Sequence, residues 1–228
     1  PSEHQLADRH GVSRITARSA LQELERRHAV RRHRGSGTFV ARRLPYPIRA
    51  GMAPSWSGAV RAAGHEASHR LLTATTERAT AAIGRRLLLP RGRSVVRIER
   101  LGSVDGEVAA HQCSWLPSAD TPRLAEVLGD SSLTETLQVR YGLEPARWWS
   151  RAELRTVPAP IARLLELPGR PMAWRVESVN RTSPGAESDA RPIEYTVGWL
   201  RADSFRVLLE LGPTEGDPSS DGQPEVDP

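Results

Sequence analysis

The sequence contains no lysine, and all 32 of its basic residues are arginine. We attribute this to the codon usage of a GC-rich genome, so a single arginine is weaker evidence of a binding site than usual. The one cysteine, Cys113, excludes an internal disulfide and a metal cage built from cysteines, which fits a reducing compartment. We expect Cys113 to be a small buried apolar residue.

The chain also lacks an apolar run of about 18 residues and a basic start followed by an apolar segment. We therefore expect no membrane span, no signal peptide and a cytoplasmic protein. Its 228 residues, 38% of them hydrophobic, are enough for one or two domains with a real core. No cofactor is expected.

The positive charge is concentrated in residues 1–43. These carry ten arginines against four acidic residues, a net charge of +6, whereas residues 44–228 carry 22 against 23, a net charge of −1. Charge concentrated on one small module is typical of nucleic-acid binding.

The local signals in this module predict a helix-turn-helix. Ser2 and Gln5 form a capping box, and Gly11 fits the left-handed residue that ends a first helix over Glu3–His10. Ser13 is the next N-cap. The buried side of the second helix is predicted from apolar residues at helical spacing, Ala17, Ala20, Leu21 and Leu24.

The outward side of the second helix has the layout of a recognition helix, whose first turns enter the major groove of DNA. Arg14 and Arg18 lie on it, one turn apart. After it, Val30–His33 and Thr38–Val40 are β-prone runs joined by the glycine-rich loop Arg34–Gly37, which predicts a wing that approaches the minor groove. The alternative is a solvated arginine-rich surface.

This module resembles the winged-helix DNA-binding domain of the GntR family of bacterial transcription regulators. The matching motifs are P-S-E-x-x-L-A from Pro1, G-V-S-R-x-T-x-R-x-A-L-x-x-L from Gly11 and G-S-G-T-F-V from Gly35. The resemblance implies DNA contacts from Ser13, Arg14, Thr16, Arg18, Arg34, Gly35, Ser36 and Gly37. His4 stands where the family usually has arginine. The helix that precedes the motif in the family is absent from the sequence given. Without it we expect exposed apolar surface and a compromised module, unless the native protein contains that segment.

The signals change after residue 43. Residues 44–54 predict a linker rich in proline and glycine, residues 55–212 a second domain, and residues 213–228 a disordered acidic tail. The predicted strands are Ser68–Glu77, Ser94–Val104, Glu107–Leu116, Trp148–Val157, Pro171–Arg181, Pro192–Arg201 and Phe205–Leu211. The predicted helices are Ser55–Ala63, Thr80–Leu87, Thr121–Leu128, Leu133–Tyr141 and Pro160–Leu165. This order predicts an α+β fold, with helices packed on an antiparallel sheet.

The second domain resembles the UTRA effector-binding domain of the HutC branch of the GntR family. The matches include V-V-R-I-E-R from Val95, R-P-I-E-Y from Arg191 and W-L-R-A-D-S-F-R from Trp199. The resemblance implies a chorismate-lyase-like fold in which a small metabolite binds between the sheet and its covering loops. The S-L-T-E-T-L run from Ser132 is similar to that of phosphonate-metabolism regulators; other relatives in this branch bind amino-sugar phosphates or urocanate.

The same resemblance gives Arg100 and Glu194 as candidate effector contacts. Trp148 and Ser150 are two further candidates. An anionic effector would suit Arg100 with Arg175 or Arg151 nearby. The sequence departs from the family at Gly102, where a second arginine is common, and at Leu200, where an aromatic hydroxyl is common.

Three of these contacts have a structural alternative. Arg100 can pair with Glu99 or Glu107. Glu194 can be a solvated charge on an edge strand. Trp148 can fill the core instead of stacking on a ligand.

His65–His69 matches the zinc-protease motif H-E-x-x-H, which requires a helix to bring its two histidines together. Gly64 ends the preceding helix and the following run is β-like. In an extended chain the two histidines would lie about 13 Å apart. We therefore reject a zinc site and expect no metal.

The sequence thus predicts a metabolite-responsive repressor that binds a near-palindromic operator as a homodimer. Effector binding would lower operator affinity through a coupling free energy of about 1–3 kcal/mol. The alternatives are a chorismate-lyase-like enzyme and a non-catalytic interaction module.

Overall fold

The computed structural model describes residues 2–26, 29–33, 37–40, 43–51, 55–182 and 191–210. The predicted acidic tail, the wing residues Arg34, Gly35 and Ser36, and the end of the predicted linker lie outside the described residues.

The N-terminal module has the predicted order of elements. Helix α1 spans Glu3–His10 and α2 spans Arg14–Arg26, and strands β1 (Val30–His33) and β2 (Gly37–Val40) form an antiparallel hairpin. Ser2 and Gln5 make the reciprocal bonds of a capping box, and Gly11 ends α1 in the left-handed conformation with φ 62°. The helix-turn-helix and its wing strands are therefore confirmed.

The buried side of α2 is narrower than predicted. Ala17 and Leu21 are buried, whereas Ala20 is exposed and Leu24 is 40% exposed. Among the described elements, α1 and β1 pack on α2, and together they cover only one side of it. The prediction that Ala20 and Leu24 are buried is therefore wrong for the described residues.

The second part of the chain is an antiparallel sheet with helices on both faces. Its six strands stand in the order β4-β5-β6-β9-β8-β7. The elements are β3 (Leu44–Arg49), α3 (Trp56–Ala62), β4 (Ala67–Arg78), α4 (Ala81–Arg86), β5 (Ser94–Val104), β6 (Glu107–Pro117), α5 (Leu124–Val127), α6 (Leu133–Tyr141), β7 (Pro145–Thr156), α7 (Ala159–Leu164), β8 (Met172–Thr182), β9 (Pro192–Arg201) and β10 (Phe205–Glu210). The predicted α+β class is confirmed. In the described residues, every helix is too short or too polar to cross a lipid bilayer.

Strand β3 corrects the prediction that residues 44–54 form a linker. It pairs in parallel with β10, from Leu44 opposite Phe205 to Arg49 opposite Glu210. Leu44, Tyr46 and Ile48 are buried, while the intervening prolines take the other side of a strand that has one neighbour. The alternation of apolar residues was present in the sequence, but the prolines concealed it.

Two apolar clusters occupy the inner face of the sheet, with space between them. One brings β3 and α3 against the sheet through Tyr46, Trp56 and Phe205, and the other packs α5 and α6 on β5 and β6. Helices α4 and α7 cover parts of the outer face. Cys113 is buried as predicted, and this burial raises its thiol pKa to about 11.

Phe205 closes the first inner cluster, and its removal should destabilise the sheet domain. The ring is fully buried, with centroids 6.3 Å from Tyr46 and 6.1 Å from Trp56. We expect Phe205→Ala to lower the free energy of unfolding by about 3–5 kcal/mol because it leaves a cavity. All six tryptophans lie between positions 56 and 199, so urea unfolding followed by tryptophan fluorescence reports on this domain.

The control is Leu209→Ala on the same strand, where the side chain is 64% exposed. It should change the free energy of unfolding by less than about 0.5 kcal/mol. Equal effects of the two substitutions would contradict the packing of β10 on the domain.

Candidate functional site

The first turn of α2 is organised by Ser13, as predicted. The Thr16 amide donates to Ser13 Oγ over 3.1 Å, and the hydroxyls of the two residues lie 2.8 Å apart. Both side chains remain exposed. Ser13 and Thr16 therefore set the conformation of the turn that the sequence predicts to contact DNA.

Arg14 and Arg18, the two basic residues predicted on this face, are exposed but differ in their surroundings. Arg18 Nε donates to Glu3 Oε2 over 3.0 Å, which ties α2 to α1. Ile15, beside Arg14, is 79% exposed. The exposed face of the first two turns is thus basic and partly apolar. Gly37, the wing residue that the structure does describe, begins β2 with φ 107°.

A cavity lies between the two inner clusters of the sheet domain. Alternate residues of β9 from Glu194 to Leu200 and of β8 from Val176 to Asn180 form its floor, because successive side chains of a strand point to opposite faces. Its volume is about 570 Å³, including the part open to solvent. Its walls come from Tyr46, Trp56, Ser57, His69, Ser132, Leu133, Thr134 and Arg147.

Arg100 reaches into this cavity from β5 and is 5% exposed. Its guanidinium donates to Ser131 O and Gln112 Oε1, each over 3.3 Å. Among the described residues no carboxylate lies within 4.0 Å of it. Burial lowers the pKa of Arg100 to about 10, and Glu194 partly opposes that change. The alternative that Arg100 pairs with Glu99 is wrong, because Glu99 binds Arg97 and His111.

Arg147 is a second buried arginine of the cavity, and the sequence interpretation missed it. It is 5% exposed and donates to Ser150 Oγ over 3.3 Å. Its guanidinium carbon lies 5.9 Å from the Tyr46 ring centroid. Ser150, a predicted contact, holds Arg147 and lies 2.6 Å from the hydroxyl of Ser178, which lines the cavity.

Trp148 does not line the cavity and is 45% exposed. The pairing of β7 with β8 shifts register between Arg147 and Trp149, so Trp148 is the extra residue of a bulge. The bulge sends Arg147 inward in its place. The prediction that Trp148 contacts an effector is therefore corrected, and a bulge of this kind leaves no signal in a single sequence.

Glu194 lies on the cavity floor and is 6% exposed. Its two carboxylate oxygens accept bonds from the Ser114 hydroxyl and the Asn180 amide, each over 2.7 Å. The alternative of a solvated edge charge is thus wrong, since β9 is an inner strand. The other predicted cations lie elsewhere: Arg175 pairs with Glu177 and Arg151 is exposed.

The charges that line the cavity do not balance. Arg100 and Arg147 contribute two positive charges and Glu194 one negative charge. His69 is neutral at physiological pH, because burial and the nearby Arg100 and Arg61 lower its pKa to about 4. The cavity wall therefore has a net charge of +1 among the described residues.

The N-terminus of α6 completes the wall opposite the floor. Ser132 caps this helix, with its hydroxyl 3.4 Å from the Glu135 amide. The next two residues, Leu133 and Thr134, line the cavity. Amides in the first turn of a helix have no carbonyl partner within the helix, and they attract negative charge.

The segment His65–His69 was predicted not to be helical, and the structure confirms this. Strand β4 begins at Ala67, and the two histidines have separate partners. His65 Nδ1 lies 2.6 Å from Asp105, and His69 Nε2 lies 2.7 Å from Ser57 Oγ. The zinc-protease geometry is therefore absent from this segment.

The comparisons with known proteins match both parts of the chain. Residues 1–40 match the model of bacterial regulatory proteins of the gntR family, and residues 62–206 match the UTRA domain. An uncharacterised HTH-type transcriptional regulator of Rhizobium meliloti is 30% identical over 216 residues, which cover 92% of this chain and 84% of the relative. The probable transcriptional regulator PhnF of Escherichia coli is 26% identical, with 92% of this chain and 85% of the relative covered.

A solved structure of a transcription regulator is also similar to this chain. The crystal structure of PhnF from Mycobacterium smegmatis superposes with a TM-score of 0.68 at 26% identity, covering 93% of this chain and 91% of that chain. These relatives point to the same family as the winged-helix motifs and the sheet domain. The chain belongs to the GntR family of bacterial transcription regulators, and it is a DNA-binding regulator that carries a UTRA effector domain.

Proposed function

We propose that the effector is a small anion that binds in the cavity between Arg100 and Arg147, and that its binding changes the affinity of the protein for operator DNA. The observation that carries this proposal is the presence of two buried guanidinium groups with no ion-pair partner among the described residues.

Burial without a counter-charge is unfavourable for these arginines. A guanidinium taken out of water loses solvation, and an ion pair with several hydrogen bonds is the usual compensation. Arg100 instead has two long bonds to neutral acceptors, and Arg147 has one. An anion in the cavity supplies the missing charge and acceptors, and guanidinium bonds to oxyanions are among the stronger ones. The N-terminus of α6 favours the same ligand charge.

The proposed response follows from linkage between two sites. An anion that binds more tightly to one arrangement of the domains shifts the protein toward it, and operator affinity falls by the same coupling free energy. We propose that the protein is a cytoplasmic repressor and binds a near-palindromic operator as a homodimer, because paired half-sites match a twofold axis.

We further propose that the cavity binds its ligand without converting it. Among the described residues, Glu194 is the carboxylate that lines the cavity, and both of its oxygens already accept bonds from Ser114 and Asn180. The alternative of a chorismate-lyase-like enzyme requires turnover of chorismate. A chorismate assay that shows product formation above background would favour that alternative.

The anion site is tested with Arg100→Met and Arg147→Met. Each variant should lose the rise in melting temperature that inorganic phosphate, phosphonates or sugar phosphates give in wild type, because one guanidinium is gone. When the anion concentration is 100 times its dissociation constant, binding raises the free energy of unfolding of the wild-type protein by about 2.7 kcal/mol. Without ligand, the variants should be at least as stable as wild type, because they no longer bury an unpaired charge.

Arg70→Met is the matched control, since it removes an exposed arginine from β4 next to His69. It should keep the full response to anions. A response that survives in both cavity variants would overturn the proposed site.

The DNA-binding face is tested with Arg14→Ala on an operator selected from a random DNA library. We expect operator affinity to fall by about 1–3 kcal/mol, the range for one arginine contact to a base. Fluorescence anisotropy at several salt concentrations distinguishes a contact to a base from a contact to a phosphate. Loss of a phosphate contact lowers the slope of log affinity against log salt concentration by about 1, whereas loss of a base contact does not.

Arg70→Met serves again as the control, because it removes the same charge outside the winged helix. Equal operator affinity in wild type and Arg14→Ala would contradict the assignment of α2 as the recognition helix.

A further inference from the structure

Strand β3 lies between the wing and the cavity. In the sequence, three residues separate the end of β2 at Val40 from the start of β3 at Leu44. The apolar residues of β3, Leu44, Tyr46 and Ile48, are buried in the first inner cluster, and Tyr46 also lines the cavity. One short strand therefore carries both the connection to the wing and a residue of the cavity wall.

Tyr46 contacts both Phe205 and Arg147. Its ring is edge-on to Phe205, with the centroids 6.3 Å apart and an interplanar angle of 80°. The guanidinium carbon of Arg147 lies 5.9 Å from the centroid of the Tyr46 ring. A cation within about 6 Å of an aromatic centroid is attracted to the ring, and more strongly where water is excluded. The charge of Arg147 thus draws this residue and β3 together.

A backbone hydrogen bond joins the same two parts of the chain. The amide of Gly51, two residues after β3 ends, donates to the carbonyl oxygen of Arg147 over 3.0 Å. Gly51 has φ 75°, a conformation that favours glycine. Arg147 therefore contacts β3 through its side chain and the turn after β3 through its backbone.

Arg147 is also the cavity residue that can move at low cost. It adjoins the bulge at Trp148, where the pairing of β7 with β8 is interrupted, and β7 is an edge strand of the sheet. Among the described residues its side chain donates one hydrogen bond, of 3.3 Å, to Ser150. Glu194, by contrast, lies on an inner strand and accepts two bonds of 2.7 Å. An anion in the cavity would therefore shift Arg147 more readily than the floor.

We propose that the contact between Arg147 and Tyr46 couples the cavity to the winged helix. A bound oxyanion takes the donors of Arg147 and balances its charge, so the attraction between the guanidinium and the Tyr46 ring weakens. The position of β3 then changes, and the wing follows because it is joined to β3 by three residues.

This inference rests on the anionic effector and the linkage proposed above. It assigns different roles to the two buried arginines. Arg100, which donates to Ser131 and Gln112, contributes affinity for the anion. Arg147 contributes affinity and also transmits the binding event to β3.

The test compares operator affinity with and without an anion, measured by fluorescence anisotropy on the selected operator. The anion is inorganic phosphate, methylphosphonate or glycerol 3-phosphate, whichever binds wild type most tightly, and chloride is adjusted to keep the ionic strength constant. Tyr46→Leu keeps an apolar side chain and removes the ring. Without anion, it should bind the operator about fivefold more weakly than wild type, the lower end of the usual coupling range. Adding the anion should weaken its operator binding no further.

Anion affinity distinguishes this role from a purely structural one. The Tyr46 ring competes with the anion for Arg147, so Tyr46→Leu should bind the anion at least as tightly as wild type in isothermal titration. A general defect of the domain would weaken anion binding and operator binding together. Tyr46→Phe keeps the ring, and it should behave as wild type in both measurements.

Arg147→Met removes the same contact from the other side, and it decides the question if Tyr46→Leu proves unstable. Without anion it should show the same loss of operator affinity. The double variant should lose no more than either single variant, because both substitutions remove one contact. Arg151→Met removes an exposed arginine from the same strand and should bind the operator as wild type does.

Two results would overturn the inference while the anion site stands. One is that Tyr46→Leu binds the operator as wild type does without anion and responds to the anion by the wild-type factor. The other is that Tyr46→Leu loses anion affinity and operator affinity equally. If none of the three anions binds to wild type, or if the bound anion leaves wild-type operator affinity unchanged, the proposed function falls and this inference with it.

Discussion

The sheet domain is organised around two arginines that are buried without a carboxylate partner among the described residues. Arg100 and Arg147 enter one cavity from opposite parts of the sheet, and Glu194 supplies a single opposing charge. Such an arrangement is unfavourable for stability and is maintained only where the surrounding fold compensates for it. The apolar clusters on either side of the cavity supply that compensation. The remaining positive charge of the cavity wall can attract an anionic ligand.

Successive side chains of a β-strand point to opposite faces of the sheet, so the same strands contribute to the apolar core and to the cavity floor. On β9, alternate residues from Glu194 to Leu200 face the cavity, while Tyr195 and Trp199 belong to the apolar clusters of the outer face. The inner face is therefore polar in its middle and apolar at its ends, where β3, α3, α5 and α6 pack. This polar floor between two apolar clusters is where the proposed anion would bind.

The sequence was sufficient for most of the secondary structure and for part of the site. Capping at Ser2 and Ser13 located both N-terminal helices, and the motif resemblance located Arg100 and Glu194. The sequence was insufficient where contacts between distant segments determine the local structure. Prolines concealed the alternation that makes Leu44–Arg49 a strand, and a bulge turned Arg147 inward in place of Trp148.

In the proposed mechanism, effector binding and operator binding are linked in one equilibrium. Reciprocity then requires that the anion weaken operator binding by the same factor by which the operator weakens anion binding. The most direct test measures operator affinity with and without saturating anion, and anion affinity with and without saturating operator, at fixed salt. The account predicts two equal factors of about 5–150, the usual range of such coupling. An anion that binds in the cavity and leaves operator affinity unchanged would contradict it.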